Sequence, residues 1–190
     1  MIKKIARGDT IIEVLMAVTL FSMVAVGSIA LMNKGVAMAQ QSLETTLVRQ
    51  QIDGQAEMLR FVHDKARNGE QPYAGIWGKI NATINTATPV EENLDVDQCK
   101  DSFSKNGFVL YSSRIDESSG AIQFNNALYG PADVFAKIED GGRSQGIDIQ
   151  LTKVQNGKAY DAYIQACWDT PASEKPMTIG TIVRLYDPEA

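Results

Sequence analysis

The stretch "RGDTIIEVLMAVTLFSMVAV", Arg7 to Val26, decides the fold, because it joins a glycine, one carboxylate and the start of a long apolar run. Glu13 sits near the beginning of that run, and no charged residue follows from Val14 to Asn33. An uncharged apolar segment of this length predicts a membrane-spanning helix. A carboxylate within such a helix costs about 2.5–3.5 kcal/mol at mid-bilayer and less near the interface, so it calls for a partner.

Working outward, Lys3, Lys4 and Arg7 precede the run, whereas only Lys34 lies close behind it before Arg49. That asymmetry predicts an N-terminus in the cytoplasm and a body outside. A secretory signal cut after Ala39 would use the small residues at Ala37-Met38-Ala39, but the run exceeds the usual h-region of about 7–15 residues and carries Glu13. A plain membrane anchor accounts for the length and leaves Glu13 without a role.

A third reading gives it one. The segment resembles the N-terminus of type IV pilins and pseudopilins: a short basic leader, a glycine, then a mature start with threonine second and glutamate fifth, followed by an apolar helix. The resemblance implies a leader at residues 1–8, cleavage by a prepilin peptidase between Gly8 and Asp9, and N-methylation of the new amine on Asp9. It also implies that Glu13 meets the amine of a neighbouring subunit in the fibre. A paired carboxylate is far cheaper in a dry helix bundle than an isolated one, so Glu13 would set the axial register of assembly. Two departures lean towards a minor subunit: Asp9 stands where the family most often has phenylalanine, and Ser22 to Met32 contains no proline.

The helical pattern continues past the membrane. Val36, Leu43, Leu47, Val48, Ile52, Leu59 and Val62 recur roughly at three- and four-residue steps or their sums, with no proline between Asn33 and Ala66. Asn68-Gly69 followed by Pro72 is a stop signal. One helix from Thr10 to Ala66 would be on the order of 85 Å long. Its parts are a transmembrane or fibre-core half, 9–33, and an amphipathic half, 34–68.

Residues 69–190 then form the body outside. Gly69, Pro72, Gly75, Gly78 and Pro89 mark residues 69–106 as loop-rich. Asn81-Ala82-Thr83 fits a glycosylation acceptor, and Glu91, Glu92, Asp95 and Asp97 read as a solvated acidic loop rather than a calcium loop. Segments 107–112, 146–154, 159–168 and 178–186 read as strands, the last three as an antiparallel meander with Asn156-Gly157 at its first turn. A helical turn is expected around Ala132 to Ile138, and a loop at "EDGGRSQG", residues 139–146. The expected fold is therefore α+β, a long N-terminal helix packed on a C-terminal antiparallel sheet, as in the pilin family.

The two cysteines, Cys99 and Cys167, both fall in the part assigned to the outside, where an even count favours one disulfide over two free thiols. The only histidine, His63, stands beside Asp64 near the end of the long helix and reads as a surface residue. Neither a metal cluster nor a histidine-based triad can be assembled around it, so no enzyme and no cofactor are expected. The net charge of −5 with scattered basic residues leaves nucleic acid without an electrostatic footprint, short of a few local contacts at a pilus tip.

The resemblance implies as partners the prepilin peptidase, other pilin subunits, the inner-membrane assembly machinery and, before assembly, the lipid bilayer. The expected function is a subunit of a type IV pilus-like filament serving adhesion, motility or DNA uptake. The alternatives are a pseudopilin of a type II secretion system and a monomeric membrane-anchored binding module.

Overall fold

The computed structural model describes residues 9–82, 84, 107–111, 122–124, 135–138, 144–154, 158–170, 173 and 175–187. Helix α1 spans Asp9–Arg67, one residue beyond the expected helix at either end. Helix α2 spans Tyr73–Ala82. The strands are β1 (Phe108–Leu110), β2 (Ile122–Phe124), β3 (Lys137–Ile138), β4 (Ser144–Gln145), β5 (Ile147–Lys153), β6 (Ala159–Trp168) and β7 (Met177–Tyr186). The chain divides into two compact units, Met1–Ser42 and Leu43–Ala190, and α1 contributes to both.

In the second unit, five strands form one antiparallel sheet in the order β2-β1-β5-β6-β7, and β3 pairs with β4 in a separate ribbon. The expected meander is present: β5 pairs with β6 from Ile147↔Ala166 to Lys153↔Tyr160, and β6 with β7 from Ala159↔Tyr186 to Trp168↔Met177. Asn156-Gly157 lies outside the described residues. Alternation along β6 and β7 sends Tyr160, Ala162, Ile164, Val183 and Leu185 to one face, where they are buried. Thr178, Ile182, Arg184 and Tyr186 on the other face are exposed.

The buried face meets a helical stripe. Val48, Ile52, Ala56, Leu59 and Val62 of α1 join Phe108, Ile149, Ile164, Trp168 and Val183 in one core. Their spacing of three and four residues keeps them on one side of the helix. The stripe differs from the expected one at its start, since Val36 and Leu43 are exposed and Glu44 is buried in their stead.

Four further expectations are corrected. The loop-rich segment contains α2, whose Ile76 and Ile80 are fully buried one turn apart, so core burial outweighs the cost of Gly75 and Gly78. Within the expected helical turn at 132–138, Lys137 and Ile138 are extended as β3, and Ser144–Gln145 of the expected loop pair with them as β4. His63 is 2% exposed rather than on the surface.

Candidate functional site

Among the first unit's described residues, the apolar half of α1 shows the feature that bears on function. Ile11, Ile12, Val14, Leu15, Phe21 and Met23 are all exposed, and so are the large apolar side chains that follow as far as Met32. None of the most apolar part of this helix is covered by protein, and it is long and apolar enough to cross a membrane.

The polar side chains in this half fit such surroundings. Thr19 donates its hydroxyl to the Met16 carbonyl at 2.9 Å, Ser22 to Val18 at 2.7 Å and Ser28 to Val24 at 2.8 Å. Each hydroxyl is satisfied inside the helix and needs no water, which removes most of the cost of placing it in hydrocarbon. Glu13 is the one ionisable residue between Ile11 and Asn33, and it is exposed.

Asp9 is the first residue of α1, and Glu13 follows four positions later, on the same helix face and about 6 Å further along the axis. Gly8, the expected cleavage residue, lies outside the described residues, as does Cys99. Cys167 on β6 is disulfide-bonded, opposite Thr178 of β7, whose hydroxyl approaches its sulfur at 3.7 Å. Asn81 is exposed in the last turn of α2, and the acidic loop at 91–97 lies outside the described residues. No cluster of three or more His, Cys, Asp or Glu side chains suited to a metal occurs among the described residues.

Three polar residues of the α1 stripe, two of them not singled out by the sequence and His63 expected at the surface, each join the helix to another element. Glu44, 3% exposed, accepts a hydrogen bond from the Trp168 indole N–H at 3.2 Å. Gln55 is buried and bonds the Leu110 backbone through both ends of its carboxamide. His63 packs against Trp77 and Tyr160. Their signal was positional: residues 44, 48, 52, 55, 59, 62 and 63 follow one helical stripe.

On the outer sheet face, Asp161 and its cross-strand partner Arg184 form a bidentate pair, with both N–O distances 2.7 Å. Hydrogen bonds from Arg184, and then its charge, hold the Asp161 carboxyl below its usual range against the opposing effect of burial.

Comparison of the chain with family models, with curated proteins and with solved structures gives no match. The sites are therefore defined by residues alone: an exposed apolar helix with one acid near its start, and a sheet domain tied to the same helix by polar side chains.

Proposed function

We propose that this chain is a structural subunit of a type IV pilus-like filament, a minor pilin cut by a prepilin peptidase after Gly8 and assembled through α1. The observation that carries the reading is the segment 11–33 of α1, none of it buried in the described structure, with the Thr19, Ser22 and Ser28 hydroxyls bonded inward and Glu13 as its one ionisable group. The α+β layout, a long apolar N-terminal helix followed by an antiparallel sheet, supports it.

Before assembly the apolar half sits in the cytoplasmic membrane as a single span, with the sheet domain outside. On assembly it exchanges lipid for the helices of other subunits, and Glu13 is neutralised by the amine of an Asp9 one subunit away. Hydrocarbon makes the unpaired acid costly, so only the correct axial offset is stable. The same surroundings outside the cytoplasm suit a disulfide between Cys99 and Cys167. No catalytic step is assigned to the chain.

The test is filament incorporation of Glu13→Ala. The variant is expected to fold and to reside in the membrane fraction while being absent from filaments sheared off the cell. Incorporation equal to that of the unaltered chain overturns the role of Glu13. Absence of the unaltered chain from any filament, with the helix left uncut, points instead to a tethered binding module.

A further inference from the structure

His63 sits where three elements meet. Its ring lies edge-on to Trp77 of α2 at 4.7 Å and to Tyr160 of β6 at 6.4 Å, and those two rings touch each other at 5.4 Å. The imidazole is 2% exposed, and its Nε2 has no hydrogen-bond partner among the described residues. Nδ1 faces the Asp64 carboxylate at 3.6 Å, longer than a good hydrogen bond.

We propose that His63 is a proton-operated latch for α2: when neutral it closes the joint of three rings, and when protonated it loosens α2 from α1 and β6. Protonation would place a charge and a second N–H in this joint, where Nε2 meets no acceptor among the described residues. The groups facing the ring do not cancel that cost. Asp64 of α1 and Asp187, which follows β7, favour the cation, while Arg67 of α1 opposes it. The Asp64 side chain is 73% exposed, so water screens its attraction. From β6 comes the Tyr160 phenol, kept protonated by burial and by Asp187; Lys153 of β5 lies over its ring at 5.7 Å. The contact from α2 is Trp77, and the charge on that helix is Lys79, one turn from its end.

Burial outweighs these charges and holds the His63 pKa below its ordinary value. When α2 opens, His63 returns to an ordinary pKa of about 6.5. The open state therefore binds more protons than the docked state just below that value. Docking of α2 is at full strength above about pH 6.5 and weakens as pH falls towards the docked-state pKa. One proton raises the opening constant by at most about tenfold per pH unit. Opening uncovers Ile76 and Ile80, which are buried when α2 is docked.

The latch is tested by amide hydrogen exchange on the full chain in detergent, at about pH 7.5 and about pH 5 with intrinsic rates corrected, following Tyr73–Ala82 against β6 as reference. Faster α2 opening at the lower pH in the unaltered chain, absent in His63→Phe, is the expected result. Equal α2 opening at both pH values, or an undiminished pH dependence in His63→Phe, overturns the proposal. The unaltered chain supplies a second readout, since the single histidine makes its imidazole proton signal unambiguous. Its titration midpoint is expected below the ordinary value and to coincide with α2 loosening. A midpoint at or above the ordinary value overturns the latch whether or not the variant folds.

Discussion

The Gln55 side chain closes both backbone hydrogen bonds of Leu110, accepting from its N–H at 2.8 Å and donating to its carbonyl at 2.9 Å. Leu110 lies two residues past Phe108, whose partner on β5 is Ile149. Where that strand pairing stops, the helix carboxamide supplies the same donor and acceptor that a strand would. Gln55 is thus a fixed point between α1 and the sheet, and both of its backbone partners are fully buried.

Gln55→Leu is expected to lose about 2–6 kcal/mol, because it strands two buried backbone groups at roughly 1–3 kcal/mol each. Urea unfolding of the detergent-solubilised chain measures it. Gln55→Glu keeps the acceptor but sets a carboxylate against the Leu110 carbonyl. It is expected to be destabilised at neutral pH and to recover part of the loss as acid protonates it.

Glu44 and Trp168 make a second tie. Glu44→Gln preserves an oxygen for the indole N–H and is expected to cost little. Glu44→Leu leaves that N–H buried without a partner and is expected to cost about 1–3 kcal/mol. Tryptophan emission and urea midpoints of the two variants, compared side by side, check the difference.

The Asp161–Arg184 pair contributes less, because Arg184 is 51% exposed and water screens it. Arg184→Ala is expected to lower the thermal midpoint only slightly. The Asp161 carboxyl has a lowered pKa in the folded chain, so its contribution is present above the ordinary value of about 3.9 and is lost as pH falls through the folded value. Asp161→Asn is expected to remove that part of the acid sensitivity, read as a flatter dependence of thermal midpoint on pH in this window.

Cys167 is disulfide-bonded, and Cys99 is the only other cysteine of the chain. Non-reducing peptide mapping is expected to recover the two in one linked peptide, and reduction to lower stability by roughly 2–4 kcal/mol. Two free thiols in the mature protein would contradict this.

Much of the architecture was legible because strong periodicities carried it. The long helix was read to within one residue at each end, since an uncharged run followed by an apolar stripe with no proline admits little else. Strands β5, β6 and β7 were found from alternation and β-branched residues. Helix α2 was missed because Pro72, Gly75 and Gly78 were read as breakers. Yet Tyr73, Ile76, Trp77 and Ile80 stand at helical spacing, and a proline just ahead of a helix is a common start. Strand β2 has only three residues, too few for a pattern to emerge.

The polar contacts of the stripe were illegible for a different reason. Glu44, Gln55 and His63 look like surface residues until the sheet brings Trp168, Leu110 and Tyr160 against them, and that pairing is a tertiary property. Leu43 is apolar and so predicts a stripe position, but one position of helical rotation gives that place to Glu44. Glu13, by contrast, stands out in the sequence as the one acid of an uncharged apolar run, and Asp9 through the resemblance of the segment around it.

The measurement that tests the filament reading most directly is the intact mass and N-terminal sequence of the membrane-associated protein from its own cells. A chain beginning at Asp9, with or without a methyl group on its amine, is the predicted result. A chain still beginning at Met1, or one beginning at Gln40 after a cut at Ala39, would contradict it, because neither offers Glu13 an amine at the head of α1.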